Sequence, residues 1–179
     1  VKRIDLPELL NEDNPIGIEL GVKGGGFSVK LIERYNFKKF YMIDVWDSIH
    51  TYRKYKYKQH ILHLNNYLNM INYSKNCTKT DVIPLRGYFK DFFMLFDDQY
   101  FDFIYIDGDA ETGQEKGQTI RHWLPKLKPN GIISGHDYYV SGDKYPLTKH
   151  YVDLIAKENN LKVNMIGATE ANCSWYYTK

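Results

Sequence analysis

Cysteine is scarce in this chain: Cys77 and Cys173 are the two it has among 179 residues, and they stand in no metal-binding spacing. Disulfide scaffolds are short and cysteine-dense, so a stapled fold drops out, and a reduced, cytoplasmic protein is expected. Apolar runs of membrane-spanning length are missing, and no secretory signal pattern opens the sequence. No contact with a membrane is therefore expected. The chain starts on Val1, as a processed or trimmed start would. An excess of one charge is missing too: the net charge of +2 is too small to argue for nucleic acid. Repeats, linkers and shifts of composition are likewise absent. What remains is a hydrophobic share of 43% and a charged share of 26%. That balance reads as one soluble globular domain over residues 1–179, long enough to bury a core.

The most informative stretch is Gly17-Ile18-Glu19-Leu20-Gly21-Val22-Lys23-Gly24-Gly25-Gly26-Phe27-Ser28. An apolar run ends in an acid, enters a glycine-rich turn and leads into a helical pattern. Glycines let the backbone approach a ligand closely, and the helix that follows offers free N–H groups. The dinucleotide fingerprint G-x-G-x-x-G fails here: from Gly21 it requires glycine where Lys23 stands, and from Gly24 where Val29 stands. That spacing speaks against a dehydrogenase-type protein. Acid-x-Gly-x-x-x-Gly fits instead, as Glu19, Gly21 and Gly25. Such a loop suits a cofactor made of an adenosine and an amino-acid tail, and S-adenosylmethionine is the candidate.

Strands and helices alternate along the chain. Ile16–Leu20 reads as a first strand, Phe27–Tyr35 as a helix and Phe40–Val45 as a second strand, which makes a parallel βαβ unit. In the basic, tyrosine-rich segment 48–73, Tyr57, Ile61, Leu64, Leu68 and Ile71 recur at helical spacing. Asp81–Leu85 is a third strand, and Pro84 assigns it to a sheet edge because proline has no ladder donor. Phe101–Ile106 is a fourth strand. A helix is expected over Glu115–Leu127, stopped by Pro129-Asn130-Gly131, then a short fifth strand Gly131–Ser134 leading into Gly135-His136-Asp137-Tyr138. A helix over Pro146–Asn159 precedes two last strands, Val163–Ile166 and Ser174–Tyr177. Their connection is too short for a crossover helix, so they should be antiparallel.

Ligands of open α/β sheets bind beyond the carboxyl ends of the strands. Four such ends carry acids: Glu19, Asp44, Asp107 with Asp109, and Asp137. An acid at the second strand end can accept both hydroxyls of a ribose. Glu19 complements an ammonium group. Asp107, Asp109, His136 and Asp137 fall at the ends of strands that should be neighbours. Two readings stay open for them. Asp107, His136 and Asp137 hold a divalent ion such as magnesium, which would lower the pKa of a substrate hydroxyl; or His136 and Asp137 form a hydrogen-bonded pair that orders the loop.

These residues resemble class I S-adenosylmethionine-dependent methyltransferases over about residues 15–178. Within them the chain is most similar to the small O-methyltransferase group related to macrolide-sugar and cephalosporin-pathway enzymes. The carriers are the glycine loop, Tyr41-Met42-Ile43-Asp44-Val45-Trp46, Leu85-Arg86-Gly87-Tyr88, Phe101-Asp102-Phe103-Ile104-Tyr105-Ile106-Asp107-Gly108-Asp109 and the run Leu124–Tyr138. The resemblance implies an α/β, Rossmann-like, doubly wound seven-stranded sheet of order 3-2-1-4-5-7-6 with strand 7 antiparallel. It implies that Glu19, Gly21, Val22, Gly25 and Ser28 surround the methionine part of the cofactor. Asp44 holds the ribose, Gly87 and Tyr88 lie beside the adenine, and Trp46 either touches the adenine or packs in the core. Metal-dependent relatives use the positions of Asp107, His136 and Asp137 for magnesium.

One departure bears on catalysis. The family continues Asp-Gly-Asp with a histidine, and this chain has Ala110 followed by Glu111. A methyl side chain takes no proton, so the role passes to His136 or Glu111, or to metal activation, with Asp109 positioning the substrate. The expected activity is methyl transfer to a hydroxyl of a small molecule, a sugar or glycosylated metabolite. A cofactor-binding module without transfer is the alternative. Tyr52–Lys58 interleaves bases and aromatics as single-strand binders do, but the small net charge weighs against nucleic acid. A lid, or an acidic or phosphorylated substrate, explains the same patch, and the aromatic helix would also serve a homodimer interface. His60 and His63 read as surface residues, and Trp123, Met70 and Met94 as core.

Overall fold

The computed structural model describes residues 2–47, 56–108, 115–140, 147–167 and 172–179. Its strands are β1 (Ile16–Leu20), β2 (Lys39–Asp44), β3 (Asp81–Arg86), β4 (Phe101–Ile106), β5 (Leu127–Val140), β6 (Asn164–Ile166) and β7 (Asn172–Thr178). The helices are α1 (Gly26–Arg34), α2 (Lys56–Asn76), α3 (Phe89–Phe92), α4 (Gln118–Trp123) and α5 (Leu147–Glu158). All seven strands form one sheet in the order β3-β2-β1-β4-β5-β7-β6. β1 to β5 pair in parallel, and β7 runs antiparallel to both β5 and β6. This is the expected architecture, with Pro84 in an edge strand where its missing donor breaks no second ladder.

Continuous apolar strands demand cover on both faces, and β4 has it: all six of its residues are buried. Ile104 and Ile106 pack on one face with Ile18, Leu20, Ile43, Trp123 and Val152. Phe103 and Tyr105 pack on the other with Leu31, Ile32, Phe40 and Met42. The acid inside this strand, Asp102, is compensated: it pairs with Lys128 at 2.9 Å and accepts the Ile16 backbone N–H at 2.8 Å.

Several elements differ from the sequence reading. The helix expected over Glu115–Leu127 is helical only at Gln118–Trp123; Gly117 precedes it at φ 74°, and Pro125 turns its end into a 3-10 segment. The fifth strand is far longer than Gly131–Ser134. Pro129-Asn130-Gly131 does not separate helix from strand but lies inside β5, with Asn130 at φ 64° in an irregularity of the β4–β5 register. His136 and Asp137 therefore sit within β5, at a second irregularity between Gly135 and Tyr139, and not in a loop after it. On α2 the expected stripe is only partly inward: Ile61 and Leu68 are exposed, whereas Met70 is buried. Met94 is 74% exposed and is no core filler. Unforeseen were the 3-10 segment Arg3–Leu9 and the pair of short turns from Phe89 to Leu95. Residues 52–55 of the basic tyrosine segment, with Asp109, Ala110 and Glu111, lie outside the described residues.

Candidate cofactor site at the strand ends

The site is built where β2, β1, β4 and β5 end side by side. As β1 ends, Gly21 takes φ 97° and donates its N–H to the Ile43 carbonyl at 2.9 Å. A Cβ on Gly21 would overlap the Asp107 carbonyl oxygen, so the exits of β1 and β4 touch through a position only glycine fills. The Asp107 N–H completes that junction by donating to the Leu20 carbonyl at 2.7 Å. Gly25, at φ 78°, is the N-cap of α1 and makes no side-chain cap. The first N–H groups of α1 thus lack the usual capping oxygen. A Cβ on Gly25 would overlap the Met70 sulfur, which shows that α2 packs directly over the loop.

Glu19 is the buried acid of the site, 2% exposed, and accepts a hydrogen bond from the Ser28 hydroxyl. Burial pushes its carboxyl from near 4.5 up to about 8; the Ser28 bond opposes this and the Asp107 charge adds to it. Asp44 joins two segments of the backbone. One carboxylate oxygen accepts the Lys23 N–H and the other the Trp46 N–H, each at 2.7 Å, so this acid ties the glycine loop to the exit of β2. A carboxylate has about four acceptor positions, which leaves two for a diol. Lys23 and Trp46 hold φ 52° and 41°, conformations rare for residues with a side chain and concentrated at functional sites. The Trp46 ring is fully buried and donates its Nε1 proton to the Lys23 carbonyl at 2.7 Å; it supports the loop from beneath. Val22 is buried, while Tyr88 is 42% exposed next to Gly87, whose N–H donates to the Asp44 carbonyl at 2.9 Å.

Beside this, Asp107, His136 and Asp137 come together. His136 Nδ1 lies 2.8 Å from Asp137 Oδ1 and 3.9 Å from Asp107 Oδ1. Asp137 holds φ 54°, a left-handed turn inside a strand that aims it at the imidazole. The other Asp107 oxygen lies 3.7 Å from Arg3 Nη1. Among the described residues, no group of three or more His, Cys, Asp or Glu is placed to hold a metal. The described donor set does not fit magnesium: Nδ1 of His136 and one oxygen of Asp137 are engaged with each other, a guanidinium stands at Asp107, and magnesium prefers a sphere of oxygens. Of the discounted histidines, His60 Nδ1 contacts Asp47 Oδ1 at 3.0 Å, and His63 Nδ1 is buried without a hydrogen-bond partner among the described residues.

A sheet of this order, with a glycine loop after β1 and acids at the next two strand ends, defines a class I S-adenosylmethionine-dependent methyltransferase. The chain belongs to the methyltransferase domain family, whose model matches residues 18–138. Among solved structures, a protein described as a caffeoyl-CoA O-methyltransferase from Staphylococcus aureus is similar at 14% identity and TM-score 0.66, over 98% of this chain and 80% of that one. A SAM dependent methyltransferase from Aquifex aeolicus is similar at 16% identity and TM-score 0.61, over 96% and 86%. The spermidine synthase of Thermotoga maritima is similar at 14% identity and TM-score 0.63, over 99% of this chain and 57% of that one. At such identities the likeness is one of fold. No curated protein matches the sequence. No helix among the described residues is long and apolar enough to cross a membrane.

Proposed function

We propose that residues 1–179 form one domain that transfers the methyl group of S-adenosylmethionine to a hydroxyl oxygen of a small molecule, a sugar or glycosylated metabolite. The observation that carries this reading is the His136–Asp137 contact beside Asp107, at the ends of the strands next to the glycine loop. The sulfonium already activates the methyl group, so the protein has to align an oxygen and remove its proton. A lone pair of the hydroxyl oxygen attacks the methyl carbon. The carbon–sulfur bond breaks and its electron pair stays on sulfur, giving neutral S-adenosylhomocysteine. The hydroxyl proton passes to His136. With Nδ1 donating to Asp137, the imidazole carries its lone pair on Nε2, the tautomer a base requires. His136 thereby fills the role vacated at Ala110.

In this reading Glu19 receives the cofactor's ammonium, Asp44 its ribose and the Gly87–Tyr88 turn its adenine. The reaction proceeds without a magnesium step, because the donor set does not fit the ion. The test has two stages. Calorimetry with S-adenosylmethionine, S-adenosylhomocysteine and NAD should give micromolar binding of the two adenosyl ligands alone, unchanged by magnesium or chelator. In an acceptor screen, His136→Gln should then lower turnover by about 10²–10⁴-fold and leave cofactor affinity intact. Equal turnover by the variant would exclude His136 as the base. Ala110 favours a second reading, a module that binds the cofactor without transferring its methyl. If Ala110→His creates turnover that the native chain lacks, that reading holds.

A further inference from the structure

The amino-acid end of S-adenosylmethionine is a zwitterion, with one ammonium and one carboxylate. The strand ends described above supply acids: Glu19, Asp44 and Asp107. Acids alone attract the ammonium and repel the carboxylate, so a complementary site needs a cation near Glu19 but separate from it. Arg3 stands there. It comes from the 3-10 segment Arg3–Leu9, 102 residues away in sequence from the Tyr105 hydroxyl that its Nη1 approaches at 3.4 Å. The same nitrogen lies 3.7 Å from Asp107 Oδ2. The guanidinium centre lies 5.0 Å above the ring of Phe27, the residue before Ser28, whose hydroxyl bonds Glu19. Cation and acid are therefore both referenced to the first turn of α1.

The Arg3 side chain is 41% exposed and within reach of a ligand. Both of its polar contacts use Nη1; among the described residues, Nη2 and Nε have no hydrogen-bond acceptor. A planar fork with donors to spare is the side chain best matched to a carboxylate.

We propose that Arg3 binds the carboxylate of the cofactor's amino-acid end, and that the Arg3–Leu9 segment closes the methionine part of the site. This rests on the S-adenosylmethionine reading above. The Asp107–Arg3 contact presets the guanidinium in the absence of ligand, and Phe27 holds it flat by a cation–π contact.

The experiment compares S-adenosylmethionine with its decarboxylated analogue, which keeps the sulfonium and the ammonium and lacks only the carboxylate. Both are titrated calorimetrically into the native chain, Arg3→Ala and Arg3→Gln, with the fold of each checked by circular dichroism. Arg3→Ala should weaken S-adenosylmethionine by about tenfold or more and leave the decarboxylated ligand within about twofold. Arg3→Gln, which keeps part of the stem and an N–H donor but loses the charge, carries the same comparison if the alanine variant is unfolded. Equal weakening of both ligands would make Arg3 a structural residue and overturn the proposal, as would unchanged binding of S-adenosylmethionine. Failure of the folded native chain to bind either ligand would overturn the cofactor reading itself, and the proposal with it.

Discussion

At the scale of single residues, Glu19 sets a pH dependence whose sign follows from its surroundings. Burial raises its carboxyl to about 8 from near 4.5, against the Ser28 hydrogen bond and Arg3 and with help from Asp107 and Asp44. The folded ligand-free protein then holds a proton that the unfolded chain gives up. This contribution to stability is fully present below about 4.5 and is lost as pH rises through about 8. Urea denaturation of the native chain and Glu19→Gln should match near pH 4, with the variant gaining steadily up to pH 9; a constant difference would show that Glu19 is charged throughout. A second prediction concerns Gly21. A methyl group there would overlap the Asp107 carbonyl, on a backbone at φ 97°. Gly21→Ala should cost about 2–3 kcal/mol in the same assay, because neither neighbour is a movable side-chain end. The placement of Glu19, Gly21, Gly25 and Asp44 at the strand ends was legible in the sequence, because an acid or a required glycine stands out against an apolar strand end. Arg3 was not, since a lone arginine in an aperiodic segment gives no sign of a partner 102 residues away. Nor did the left-handed backbone of Lys23, Trp46 and Asp137 announce itself, because none of them is glycine.

At the scale of elements, buried strands were the easiest to read and helix faces the hardest. β1 and β4 are apolar apart from Gly17, Glu19 and Asp102 and have sharp ends, and their limits were read to the residue. β5 was read as four residues of its fourteen, because Pro129-Asn130-Gly131 has the composition of a turn. The chain uses that composition for a bulge, held where the Asn130 N–H donates to the Lys179 carbonyl at 2.7 Å and the Lys179 N–H to the Gly131 carbonyl at 3.1 Å. α2 mixes tyrosine, asparagine and leucine all round, so its periodic stripe did not identify the face that packs on the glycine loop. Met70 does that work, against Gly25. Met94, on the short turns after α3, is solvent-exposed. Met70→Ala should therefore destabilise by about 2–5 kcal/mol and Met94→Ser by less than about 0.5 kcal/mol, read from paired denaturation curves. A reversed ranking would mean that α2 is not seated on the loop.

At the scale of the molecule, the cofactor reading predicts linkage between ligand and fold. A ligand that binds only the native state, at 100 times its dissociation constant, stabilises by about 2.7 kcal/mol. S-adenosylhomocysteine at that excess should raise the melting temperature by several degrees, and NAD should not; no shift with either would separate fold from function. β7, at residues 172–178, is not at the rim of the sheet but between β5 and β6, hydrogen-bonded on both sides. During synthesis the ribosome must therefore release residues 172–178 before β5 can lose its open edge. Until then a nascent chain carries β5, the strand that holds His136, with one edge open, and it is this intermediate, more than the finished fold, that a chaperone would have to shield.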